Sequence, residues 1–176
     1  MKRFVRFLLI VLLVVLIIAV GCNTDYLKLK WAAYRYQQVM EGEIPEDLTL
    51  TVYYIPHYIL TRAPLTVEDL KDMTCSVKIV VESEELVKHL ATLKQLNASV
   101  LQPTEEDYGI NACFYYVFEL GNQKILEVVF QQYDGQTDSD VGTFVNGIRV
   151  ESNSVLYEII LPFLSEFDRE ELGILR

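Results

Sequence analysis

Apolar and polar positions alternate from Leu48 onward. Leu48, Leu50, Val52 and Tyr54 fall on one side and Thr49, Thr51 and Tyr53 on the other, which predicts a half-buried strand ended by Pro56. Thr66 and Asp69 have the spacing of a capping box, with Asp in place of Glu, and predict one helical turn. Cys75–Glu82 predicts a second strand, with Cys75, Val77, Ile79 and Val81 on one face. Ser83 then reads as the N-cap of an amphipathic helix over Glu84–Leu96. Glu84 and Glu85 stand against its positive start, and Leu86, Leu90 and Leu93 form its stripe. Ser99–Gln102 is expected to add a short strand.

The second half of the chain predicts hairpins. Asn111–Leu120 and Lys124–Tyr133 flank Gly121-Asn122, while Thr143–Val145 and Ile148–Val150 flank Asn146-Gly147, whose residues tolerate the positive φ that a two-residue turn requires. In the first of these strands Cys113 is expected beside Tyr115, Val117 and Glu119, opposite the more apolar row Ala112, Phe114, Tyr116, Phe118 and Leu120. Asn153 or Ser154 caps a helix bearing Val155, Leu156, Ile159 and Ile160, and Ser165 with Asp168 starts a last short turn. No internal repeat or low-complexity stretch interrupts this order. It predicts an α+β fold, a largely antiparallel sheet of about five to six strands with two main helices packed on one face.

Upstream the pattern changes. Asp25–Glu41 predicts a helix with Leu27, Trp31, Tyr34 and Gln38 on one stripe and Lys28, Lys30 and Arg35 around it. Two readings stand: an aromatic, basic helix resting at the headgroup level of a membrane, or a segment that packs Trp31 on the domain or acts as a spacer. Ahead of it, Lys2, Arg3 and Arg6 precede the uninterrupted apolar run Leu8–Val20, then Gly21 and Cys22. Thirteen residues give about 20 Å of helix at 1.5 Å each, short of the roughly 20 residues a bilayer core needs. Basic residues, a short apolar run and small residues before a cut are the marks of an export signal.

Ala19-Val20-Gly21-Cys22 resembles the cleavage box of bacterial lipoprotein signal peptides, with Ala19 where that family usually has Leu. The resemblance implies diacylglycerol in thioether linkage on Cys22, cleavage before it and acylation of the new amino terminus. Two acyl chains hold a protein stably where one holds weakly. The implied location is the outer face of the cytoplasmic membrane, the alternatives being an uncleaved single-pass anchor and a fully released secreted protein. The organisation expected is a signal peptide at 1–21, an anchor-proximal helix or spacer at 22–47 and one domain at 48–176. The later region is similar to small lipoproteins of Gram-positive bacteria that have no assigned function. The likeness is carried by Leu50-Thr51-Val52-Tyr53-Tyr54-Ile55, Phe144-Val145-Asn146-Gly147 and Ile160-Leu161-Pro162-Phe163-Leu164. It implies surface anchoring and no activity.

Charge narrows the partners. Without the three basic residues of the leader, 12 basic face 25 acidic residues, about −13. Such a surface repels nucleic acid and anionic lipid headgroups, so no nucleic-acid partner is expected. Beyond Cys22 there are two cysteines, Cys75 and Cys113, and export permits a disulfide. The strand phasing just given sets one thiol toward the core and the other away, against a pairing.

Chemistry is sparse. His57 and His89 lie in no zinc-ligand spacing, and no nucleophile motif, phosphate loop or dinucleotide glycine pattern occurs. Asp134, Asp138 and Asp140 share a polar loop that lacks the EF-hand order. Glu119 and Glu127, on facing strands, are the one carboxylate pair a hydrolase reading would use. No catalytic residue, metal ligand or cofactor is therefore expected. Eleven tyrosines stand out, and Tyr53, Tyr54, Tyr115 and Tyr116 are expected to form an interaction surface, ordinary sheet-forming residues being the alternative. The function expected is a lipid-anchored extracytoplasmic binding or interaction module, its partner an envelope protein or glycan. A structural envelope component or a cell-envelope hydrolase are the alternatives.

Overall fold

Strand β1 (Leu48–Tyr54) is paired on both sides, with β2 (Val77–Glu82) and with β3 (Ala112–Leu120). β4 (Gln123–Gln131), β5 (Thr143–Val145) and β6 (Ile148–Val150) continue the sheet, giving six strands in the order β2-β1-β3-β4-β5-β6 with every pair antiparallel. The molecule, a computed structural model, is described over residues 24–56, 58–59, 61, 63–104, 109–131 and 142–171. It is α+β, as the alternation predicts.

Both expected hairpins form. Gly121 turns β3 into β4 at φ 55°, and Asn146 and Gly147 turn β5 into β6 at φ 49° and 76°. These are left-handed conformations that Gly and Asn adopt at least cost.

Helix α1 (Thr24–Glu41), the pair α3 (Ser83–Lys88) and α4 (Leu90–Leu93), and the C-terminal segment cover one side of the sheet, here the main face. That segment comprises α5 (Val155–Glu158), a 3₁₀ turn at Leu161–Phe163 and α6 (Glu166–Glu171). Leu50, Val52, Phe114, Phe118, Leu126 and Val128 of the sheet share a core with Leu29, Tyr36, Leu86, Leu93, Leu156 and Ile160 of the helices. Among the described residues, α2 (Val67–Asp72) is the one helix on the opposite, second face. It closes a smaller cluster of Ile55, Leu70, Ala112, Tyr115, Val117, Val129 and Phe144. Its start is the expected capping box: Asp69 N–H donates to Thr66 Oγ1 while Thr66 N–H donates to the Asp69 carboxylate. Those bonds, the backbone one foremost, hold the Asp69 carboxyl below its ordinary pKa.

Several expectations are corrected. The helix α1 buries Leu29, Ala32, Ala33, Tyr36 and Met40, and turns Leu27, Trp31 and Tyr34 outward. Trp31 therefore does not pack on the domain, and α1 belongs to the core rather than preceding it as a spacer. The packed unit thus starts no later than α1, ahead of the boundary expected at Leu48. The helix expected over Glu84–Leu96 breaks at His89, whose φ of −117° and ψ of 20° interrupt the helical path, although Leu86, Leu93 and Leu96 all reach the core. Ser83 is the first helical residue rather than the cap, and its hydroxyl donates to the Glu46 carbonyl. β2 starts at Val77, and residues 98–100 form turns in place of a strand.

Candidate functional site

Tyr53 and Tyr115 are register partners on the second face, and Tyr54 with Tyr116 point into the main core. Tyr54, Tyr115 and Tyr116 are 0%, 1% and 0% exposed, so the four do not make the expected exposed surface. The reason lies in where the phenols reach. Each buried hydroxyl needs an internal partner, and on the main face these partners are on the helices. Tyr116 Oη donates to the Leu156 carbonyl at 2.8 Å, and Tyr36 Oη to the Leu93 carbonyl at 3.1 Å. Tyr54 Oη donates to Asp168 Oδ1 at 2.6 Å. These tyrosines fasten α4, α5 and α6 to the sheet and to α1. Burial pushes the phenols of Tyr36 and Tyr116 far above their ordinary pKa, so they remain donors.

The second face is different, because α2 roofs only part of it. Under that roof, Lys71 of α2 places Nζ 4.5 Å from the Tyr115 ring centre and 5.9 Å from that of Tyr53. Lys78 of β2 places its own 5.4 Å from Tyr53. A cation over a phenol ring is attracted by the ring's negative face. Tyr115 Oη donates to Glu127 Oε2 at 3.3 Å, and Lys124 forms an ion pair with the same carboxylate. Burial first, and then the negative charge of Glu127, raise the Tyr115 phenol well above its ordinary pKa. Glu119 lies opposite Lys124 rather than opposite Glu127, whose own register partner is Val117. The two carboxylates therefore each have a lysine for a neighbour.

Beyond α2 the face is open. Val80 is 49% exposed between Lys78 and Glu82 on β2, both exposed, and Lys124 is exposed on β4. Along β2 an apolar residue thus stands between two opposite charges, and Lys124 lies on β4, with β1 and β3 between. Lys71 and Lys78 carry no signature in the sequence. The near-continuous apolar run of β3 is the feature that could have announced them, since a strand buried on both sides must be covered on both.

Cys113 does not lie beside Tyr115. A register irregularity between Ala112 and Phe114 puts Ala112 in the second-face cluster and packs Cys113 against the main core. Its thiol lies 3.3 Å from the Phe130 carbonyl, and burial pushes its pKa up to about 12, so it is a thiol rather than a thiolate at neutral pH. Cys75 and Cys113 are both free. His89 stacks its ring edge-on to Phe163 at 5.2 Å, with Nε2 3.7 Å from Glu85. Cys22, the box Ala19-Val20-Gly21, His57 and the loop carrying Asp134, Asp138 and Asp140 lie outside the described residues. Among the described residues no group of three or more His, Cys, Asp or Glu side chains could hold a metal ion, and no helix is long and apolar enough to cross a membrane. No protein-family model, curated protein or solved structure matches this chain.

Proposed function

We propose that this chain is a lipid-anchored interaction module on the outer face of the cytoplasmic membrane. Cys22 carries the lipid after cleavage behind Ala19-Val20-Gly21, and the open part of the second face receives a protein of the cell envelope. The observation that carries the binding surface is the exposure of Lys78, Val80, Glu82 and Lys124 on the second face. A protein partner is favoured over a glycan. Sugars are gripped by exposed aromatic rings, and three of the four tyrosines expected to supply them are buried. Mixed charge around an apolar centre suits a protein surface of the opposite pattern. Binding is also favoured over catalysis, because Glu119 and Glu127, the carboxylates a hydrolase would use, are not register partners and each has a lysine for a neighbour.

Two measurements test the reading. Mass spectrometry of the amino terminus should give a peptide that begins at Cys22 and carries acyl mass, lost in Cys22→Ala. An intact, unmodified leader overturns the anchor. A photo-crosslinking residue at Val80 in the membrane-bound protein should give a protein adduct, and the same residue at Val87 of α3, equally exposed at 48%, should not. Equal labelling at both positions, or none at Val80, overturns the surface.

A further inference from the structure

Helix α1 is apolar on two sides. Its inner side belongs to the main core, yet Leu27, Trp31 and Tyr34 on its outer side are 53%, 62% and 49% exposed. They follow one another at i, i+4 and i+7, so they form a single stripe along the helix. The Trp31 and Tyr34 rings meet with centres 5.7 Å apart, and Gln38 Nε2 donates to Tyr34 Oη at 2.6 Å, extending the stripe by a turn. Cations border it on both sides. At about 100° per residue, Lys28 and Arg35 lie about 80–100° round the helix one way from Leu27, and Lys30 about 60° the other way. Lys30 Nζ sits 4.9 Å from the Tyr26 ring centre. The helix carries three basic and two acidic residues, a net +1 in a chain of net charge −10.

Position in the chain says what covers this stripe. The apolar run Leu8–Val20 stops four residues before Thr24. A residue spans at most about 3.6 Å, so α1 begins within about 14 Å of the end of that run. Lipid on Cys22 after cleavage, or the uncleaved run itself, would each bring the first turns of α1 to the bilayer surface. Trp and Tyr favour the headgroup region, and Lys and Arg beside them extend to the phosphates while their stems cover apolar surface. We propose that the stripe Leu27, Trp31 and Tyr34 lies in the lipid–water interface of an anionic bilayer, with Lys28, Lys30 and Arg35 directed at the phosphates. The inference rests on the tethering reading above.

Trp31 is the one tryptophan of the chain, so its emission reports this site directly. The full chain is reconstituted into vesicles of phosphatidylcholine with a minority of phosphatidylglycerol, with and without acyl chains brominated near the headgroup. Flotation of the vesicles is scored alongside. The expected result is co-flotation, emission at shorter wavelength, about twofold or greater quenching by the brominated lipid and protection from aqueous iodide. The doubly substituted Leu27→Glu, Tyr34→Glu chain, altered only at exposed positions, should still float while Trp31 becomes open to iodide. A chain that floats with Trp31 open to iodide and untouched by bromine overturns the inference and leaves the tether standing. Protection from iodide without bromine quenching assigns the stripe to a second copy or another protein and overturns the membrane assignment. A chain that does not float overturns tether and inference together.

Discussion

The two faces of this sheet are built from the same strands and are closed by different means. The main face is covered by α1, α3, α4 and the C-terminal helices, and its phenols hydrogen-bond across the interface to backbone carbonyls and to Asp168. The second face has a six-residue roof, and its buried phenol, Tyr115, is tied to a carboxylate that also pairs with an exposed lysine. One face spends its polar groups on internal fastening, and the other leaves charged groups at the rim of a small core. The lesson is that tyrosine content says little about an interaction surface until the partner of each hydroxyl is known.

The comparison is sharpest where apolar volume is removed. Phe118 is fully buried against Tyr36 and Tyr116, so Phe118→Ala should cost about 3–5 kcal/mol in urea unfolding. Phe144→Ala, at the edge of the second-face cluster, should cost less than about 3 kcal/mol. An equal or larger loss at Phe144 would remove the distinction between the faces. Next come the hydroxyls. Tyr116→Phe strands the Leu156 carbonyl in the core and should cost about 1–3 kcal/mol. Tyr115→Phe leaves Glu127 with its lysine and should cost only about 0.5 kcal/mol.

The roof itself falls between those two hydroxyls. Thr66→Ala removes the capping box, worth about 1 kcal/mol, and should speed amide exchange in residues 67–72 while leaving β1 and β3 protected. Loss of protection in both strands would mean that α2 is not a separate local unit.

The smallest effect is one of pH. Partial burial works to raise the Asp168 carboxyl, but hydrogen bonds from Ser165 and Tyr54 outweigh it and hold its folded pKa below the ordinary value. A folded pKa below the unfolded one stabilises above the unfolded value, about 3.9, and that stabilisation is lost as pH falls through the folded one. Tyr54→Phe removes one of the bonds and should flatten the loss of stability on acidification below about pH 4. Identical acid slopes for the two proteins would show that the Tyr54 bond does not tune Asp168.

What the sequence made legible was local. The Asn146-Gly147 turn, the Thr66–Asp69 box and the reciprocal Ser165–Asp168 bonds are fixed within a few residues, and each forms as expected. What it concealed depends on distant partners. The inner stripe of α1 contains Ala32 and Ala33, small residues that let the helix sit close to the sheet, whereas the larger aromatics drew attention to the opposite side. The face of Cys113 turns on an irregularity in pairing with β4, which the β3 sequence does not display. The burial of Tyr115 needs α2, folded back from a connection whose own residues announce only a helical turn.

One consequence follows from where α1 sits. Its amino terminus leaves from the helical layer, so a tether attached there issues from one side of the body and Lys78, Val80 and Lys124 look out from the other. Under the proposed tethering, a visitor arriving from the medium would meet Lys78, Val80 and Lys124 first, while anything sliding along the lipid would meet the helix. Such a body would have a fixed inside and outside before it had bound anything.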